Sequence, residues 1–88
     1  MFFVYILYSE KLDVYYKGYT NSVFKRLHRH NSGYEKYTSR GIPWNLILVL
    51  PKSTKSEAMV LERKLKNLNR VRLESFILKY KESSQDDQ

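Results

Sequence analysis

Eighty-eight residues make one domain, with room for a core of two or three packed layers and none for a second domain beside it. The absence of cysteine excludes a disulfide framework and a thiolate metal site, and two histidines, His28 and His30, are a poor basis for zinc. Residues 1–81 hold all 16 Lys and Arg against six acids, net +10, while the last three acids fall in the tail "ESSQDDQ"; a polyanion, nucleic acid first, is the expected partner, with generic lysine solubility as the bland alternative.

The opening "MFFVYILYSE" is apolar over seven residues but carries neither a basic leader nor a small-residue cleavage site, so it does not read as a signal peptide. No run is long enough to span a membrane, and a cytoplasmic location without membrane attachment is expected. Phe2 to Tyr8 and Val14 to Tyr19 are mostly aromatic or β-branched, and "SEKLD" between them is polar, which predicts a hairpin. "TNSVFKRLHRHNSG" predicts a short helix with Asn21 as N-cap, Val23, Phe24 and Leu27 at helical spacing, and Asn31-Ser32-Gly33 as its stop.

"YEKYTSRGIP" has no sustained period and reads as a loop, whereas "WNLILVLP" reads as a buried strand ended by Pro51. Next, Thr54 and Glu57 stand at capping-box spacing ahead of a stripe of Ala58, Leu61, Leu65 and Leu68. A last helix is predicted from about Val71 to Lys81 on Leu73, Phe76, Ile77 and Tyr80; residues 82–88 form an acidic tail with nothing apolar to bury, expected to be disordered. The fold class is therefore α/β (α+β), a three-stranded, mainly antiparallel sheet flanked by helices in the order β-β-α-β-α-α, in one domain over residues 1–81.

Within that frame a few polar residues stand out. A hairpin turning in "SEKLD" puts Tyr5 opposite Tyr16 or one register step from it, so the two phenols share a sheet face. Arg26 and His30 are four apart on the following helix, and Glu62 borders the apolar stripe of the later one. Taken singly, each has a plain explanation: cross-strand aromatic packing for Tyr5 and Tyr16, one more basic helix residue for Arg26, an i,i+4 pair with Lys66 for Glu62.

In order and spacing, "FVY" (Phe3 to Tyr5), "YKG" (Tyr16 to Gly18), Arg26, His30 and "SEAMVLE" ending in Glu62 resemble the GIY-YIG nuclease family. The resemblance runs from Phe2 to about Ile77 and is strongest to small stand-alone bacterial members; it extends to the N-terminal nuclease domain of the excinuclease incision subunit. It implies hydrolysis of a DNA phosphodiester with one divalent cation, Mg²⁺ or Mn²⁺, held weakly without DNA through Glu62 as ligand. It also implies a tyrosine, Tyr5 or Tyr16, as general base, Arg26 on the scissile phosphate, and His30 at the phosphate or in a proton relay. An ordinary phenol pKa near 10 has to come well down for that role, with Lys17, the cation or Arg26 as sources of help. Gly18 is expected to let substrate approach the strand.

Lys17, Lys36, Tyr37, Arg40, Lys66 and Arg70 supply the mixture of bases and aromatics that grips phosphates and stacks on unpaired bases. With no room for a further recognition domain, structured or damaged DNA with single-stranded regions is the expected target, in repair or recombination. The chain also departs from the family pattern: Phe3 and Val4 replace Gly and Ile, Lys17 replaces Ile, and Glu74 stands where many members carry Asn, with Asn67 and Asn69 as loose substitutes. Those departures keep open a second reading, a non-catalytic nucleic-acid-binding module on the same fold.

Overall fold

The computed structural model describes residues 1–86. Three strands, β1 (Phe2–Ser9), β2 (Val14–Thr20) and β3 (Trp44–Lys52), form one antiparallel sheet in the order β2-β1-β3. Between β2 and β3 lie α1 (Val23–Asn31) and a single turn, α2 (Lys36–Ser39); α3 (Lys55–Lys66) and α4 (Arg70–Asp86) follow β3. The predicted order and class are those observed.

β1 is the central strand, and Val4 to Leu7 are fully buried because both sheet faces are covered. Alternation divides them. Val4 and Ile6 join Ala58 and Leu65 of α3 and Leu73 and Ile77 of α4 in an aliphatic core. Tyr5 and Leu7 point the other way, into a second cluster with Trp44, Tyr16, Leu27 and Ile42. The site grows out of this second cluster.

α3 is held at its start by the predicted capping box: Glu57 N donates to Thr54 Oγ1 and Thr54 N donates to the Glu57 carboxylate, each at 3.2 Å. α1 ends at Asn31, followed by Gly33 at φ +79°, a left-handed position that favours glycine. Asn31 then ties helix to strand, accepting from Trp44 N at 2.6 Å and donating to Trp44 O at 3.1 Å.

Several expectations are corrected. The N-cap of α1 is Ser22, not Asn21, because Thr20 Oγ1 turns the chain one residue later by accepting from Ser22 N at 3.1 Å. Phe24 faces solvent; Val23, Leu27 and His30 form the inner stripe. The stretch expected as a loop contains α2. Pro51 does not end β3, which runs to Lys52; β3 is an edge strand, where a missing N–H is tolerated. α4 carries helical backbone to Asp86, into the stretch expected to be disordered, since no glycine or proline interrupts it; residues 87 and 88 lie outside the described residues.

The hairpin turn occupies Glu10 to Asp13, closed by Asp13 N donating to Ser9 O at 2.7 Å, with Asp13 at φ 55°. This turn sets the register: Tyr5 pairs with Gly18, and Tyr16 pairs with Leu7. The two tyrosines are therefore diagonal neighbours two positions apart, not opposite or one step apart, and the even offset keeps them on one face.

Candidate active site

Tyr5 of β1, Tyr16 of β2, Arg26 of α1 and Glu62 of α3 line one cavity of about 370 Å³ along the edge strand β2, together with Gly18, Asn21 and Lys55. Tyr5 and Tyr16 stack with ring centroids 6.3 Å apart. Glu62 is 18 % exposed and lies 3.6 Å from Lys66 Nζ one turn on, so the i,i+4 pair forms while the carboxylate still borders the cavity.

Gly18 lines the cavity and has a further cause that sequence reasoning did not find. A Cβ there would stand 2.5 Å from the Tyr5 hydroxyl oxygen and 2.7 Å from Cζ. The Tyr5 ring lies across the backbone at Gly18, and the glycine makes room for that ring.

His30 is placed differently from expectation. Its side chain is fully buried and does not border the cavity, so direct contact with a phosphate is excluded in this conformation. The ring sits behind the tyrosines, edge-on to Tyr16 with centroids 4.7 Å apart. Nε2 is 3.0 Å from the Tyr5 hydroxyl and Nδ1 is 3.0 Å from Thr38 Oγ1. Both ring nitrogens are thus satisfied, and a hydrogen-bonded line runs from the cavity wall through Tyr5 and His30 to Thr38. Thr38 is itself held by Trp44, whose Nε1 donates to Thr38 O at 2.7 Å. Burial lowers the His30 pKa from its ordinary value, opposed by Glu35, so the ring is neutral at pH 7.

Burial also dominates the phenols. It pushes Tyr5 far above the ordinary range, with the neighbouring Tyr16 adding to the effect and Arg26 opposing it. Tyr16 is raised by burial and then by Glu35, again opposed by Arg26. Lys17 offers no help: alternation points it to the opposite face from Tyr16, and burial followed by Lys66 lowers its own pKa. Both phenols are protonated in the free protein, and Tyr5 stands against an imidazole that can accept its proton.

The remaining basic candidates are dispersed. Lys17 and Lys66 line a neighbouring open groove with Tyr15, Tyr16 and Tyr37, and Tyr37 is largely exposed. Lys36 and Arg40 flank Tyr37 on the exposed side of α2. Arg70 is elsewhere and engaged: Nη2 donates to Asp13 Oδ1 at 2.7 Å and Nε to Glu74 Oε2 at 3.4 Å, which latches α4 to the hairpin turn. Glu74 also accepts from the Tyr15 hydroxyl, and Asn69 Oδ1 accepts from Arg72 N at the start of α4. Neither Glu74, Asn67 nor Asn69 borders the cavity.

Sequence reasoning missed Thr38, Lys55 and Glu35. Lys55 stands seven residues before Glu62, on the same face of α3, a spacing that could have found it. Thr38 and Glu35 belong to the stretch read as a loop and carry no such signal.

The donor set that this cavity offers a cation is oxygen: the Glu62 carboxylate and phenolic hydroxyls. That suits a hard divalent ion, which one carboxylate with waters and a substrate phosphate can hold. Among the described residues, no helix is long and apolar enough to cross a membrane.

The GIY-YIG catalytic domain family model matches residues 1–81. The chain is similar to the UPF0213 protein YazA of Bacillus subtilis, 43 % identical over 68 residues that cover 76 % of this chain and 69 % of that protein. A UPF0213 protein of Bacillus velezensis is 40 % identical over 76 residues, covering 85 % of this chain and 76 % of its own. In structure the chain is similar to a UPF0213 protein of Bacillus halodurans solved by solution NMR, with a TM-score of 0.58 and 35 % identity over 88 % of this chain and 83 % of that one.

Proposed function

The chain belongs to the GIY-YIG catalytic domain family, and from that premise we propose that it is a divalent-metal-dependent endonuclease that hydrolyses DNA phosphodiester bonds. The observation that carries this reading is the convergence of Tyr5, Tyr16, Arg26 and Glu62, from four separate elements, on one cavity in a strongly basic body. Packing alone requires the two aromatics to meet, but it gives no reason for a guanidinium and a half-buried carboxylate to meet them.

In this reading Glu62 holds Mg²⁺ or Mn²⁺, which when bound neutralises charge on the scissile phosphate and the leaving oxygen. Arg26 presents a planar fork of donors to the non-bridging phosphate oxygens. Tyr5 takes the proton of the attacking water as its own hydroxyl proton passes to His30 Nε2, 3.0 Å away. His30 acts through Tyr5 and never touches substrate. Thr38 and Trp44 fix the ring, so the line is preorganised. Lys17, Tyr37 and Lys66 of the neighbouring groove, with Lys36 and Arg40 beside Tyr37, are the proposed nucleic-acid surface; Arg70, tied to Asp13 and Glu74, is the least available of the proposed contacts. Exposed Tyr37 in a groove with Lys17 and Lys66 suits stacking on unpaired bases beside a phosphate backbone, hence nicked, branched or damaged DNA in repair or recombination as the proposed substrate.

A second reading, a non-catalytic nucleic-acid-binding module, is favoured by one observation. Glu74, where many family members carry asparagine, turns to Arg70 and Tyr15 and leaves Glu62 as the only carboxylate on the cavity among the described residues. Cleavage of nicked and branched DNA with Mg²⁺ or Mn²⁺ separates the readings, using Glu62→Gln as control. That change keeps size and hydrogen bonding and removes the charge that holds the cation. Cleavage should then collapse while DNA binding survives, because the phosphate contacts come from unchanged Lys and Arg. Unchanged cleavage would remove Glu62 from the mechanism; no cleavage by the unmodified chain would favour the binding module.

A further inference from the structure

Glu35 lies just before α2, and its carboxylate is where the two arms of the site meet. Oε1 is 3.1 Å from Arg29 Nε and 3.5 Å from Arg26 Nη1, while Oε2 is 3.6 Å from His30 Nδ1. The side chain is only 25 % exposed. It stands at the N-cap of α2 but makes no side-chain capping bond there, so its oxygens face the cations and the imidazole and not the helix. The backbone is anchored, since Ser39 N donates to Glu35 O at 3.1 Å. Thr38, in the same turn, contacts the same ring nitrogen of His30.

Arg26 is the cation that α1 contributes to the cavity wall, on a long side chain 37 % exposed. Free, such a side chain samples many rotamers; held at one terminal nitrogen by a carboxylate, it keeps the rest of its fork directed. The second carboxylate oxygen, beside Nδ1, favours the ring orientation in which Nε2 meets Tyr5. We propose that Glu35 is a positioning residue for the cleavage reaction proposed above, orienting Arg26 toward the scissile phosphate and His30 toward Tyr5. The inference rests on the nuclease reading.

The arrangement has a signature that ordinary structural support lacks. The same carboxylate occupies Arg26 and Arg29 and repels an incoming phosphate, so it weakens DNA binding while improving the geometry of the reaction. Glu35→Gln keeps the shape and removes the charge. With a nicked duplex in EDTA, the variant should bind about threefold to tenfold more tightly, with a steeper salt dependence as two guanidinium groups become free to pair with phosphate. With Mg²⁺ and saturating DNA, its single-turnover cleavage should be slower by about 10-fold to 100-fold. Glu35→Asp, which keeps the charge, should recover part of the rate.

Cleavage at the unmodified rate in Glu35→Gln, beside an active parent and a dead Glu62→Gln, overturns this proposal and leaves the nuclease reading standing. Weaker binding together with a lower melting temperature also overturns it, because a merely structural residue loses both together. A parent chain that does not cut overturns the nuclease reading, and this proposal with it.

Discussion

Gly18→Ala tests the close approach on which the whole site is built. The added methyl would stand 2.5 Å from the Tyr5 hydroxyl oxygen, 2.7 Å from Cζ and 3.1 Å from Cε1. Ordinary contacts between such atoms begin near 3.5 Å, so the end of the ring must retreat by about 1 Å. Retreat is resisted by its neighbours: Tyr5 is 2 % exposed and flanked by Tyr16 and His30, and a shift toward the cavity takes the hydroxyl away from His30. Overpacking of this kind costs about 1–3 kcal/mol. The displaced hydroxyl also leaves His30 Nε2, at 0 % exposure, without its partner; an abandoned buried acceptor adds about 1–3 kcal/mol. A total of about 2–6 kcal/mol corresponds to a fall in melting temperature of at least about 8 °C for a domain of this size. Thermal and urea melts of Gly18→Ala, Tyr5→Phe and the double variant read it directly. The methyl should cost less in the Tyr5→Phe background, where its nearest contact is gone, so the two changes are not additive. A Gly18→Ala chain within about 0.5 kcal/mol of the parent, the range of innocuous surface changes, would show that the ring does not lie across the glycine.

Two further outcomes follow from the same residues. Tyr5→Phe removes the hydroxyl bound to buried His30 and should lose about 1–3 kcal/mol of stability, together with about 10²-fold to 10⁴-fold in cleavage if Tyr5 is the base; Tyr16→Phe run beside it, with the larger rate loss falling on Tyr16, would transfer the role. His30, whose folded-state pKa burial holds below the ordinary 6.5, binds fewer protons folded than unfolded just below that value. Its contribution to stability is therefore fully present above pH 6.5 and is lost as pH falls from there through the folded-state pKa. Melting temperature should drop between pH 7 and pH 5, and His30→Gln should flatten that drop; an unflattened curve would mean that the ring is not held neutral.

The parts of this fold that were legible are those specified locally. Thr54 and Glu57 announce α3 because capping needs only residues three apart, and Leu73 and Ile77 mark α4 because a helical stripe repeats within one element. Register was less accessible. No Asn-Gly marks the turn, and Asp13 takes the left-handed conformation instead, moving the pairing so that Gly18, not Tyr16, faces Tyr5. That Tyr5 and Tyr16 still share a face follows from the two-residue period, which tolerates an even shift. α2 is only four residues long, too short for any periodicity, and so the partners it brings to His30 had no sequence signal. His30 itself shows how spacing misleads: four residues from Arg26, it promised the same exposed face, yet it lies beneath the tyrosines while Arg26 stays at the cavity wall.

The two clusters around the sheet explain how so small a chain keeps a polar site without forfeiting its core. Aliphatic burial is concentrated on one face, where Val4 and Ile6 meet α3 and α4. The other face sets aromatics and one imidazole among Leu7, Leu27 and Ile42, and there each buried polar atom finds a partner: Tyr5 with His30, His30 with Thr38, Trp44 with the Thr38 carbonyl. Among the described residues no buried side-chain nitrogen or oxygen lacks a hydrogen bond. A satisfied network of this kind is rigid because any one rotation leaves several groups unpaired in a region of low dielectric. Rigidity therefore reaches the cavity wall at the Tyr5 hydroxyl, where a proton would have to move through fixed geometry. Lys55, by contrast, is an exposed residue on the cavity rim, where a long side chain adapts to a phosphate backbone of variable shape. Arg26 lies between the two regimes, and the Glu35 carboxylate is what draws it toward the fixed one.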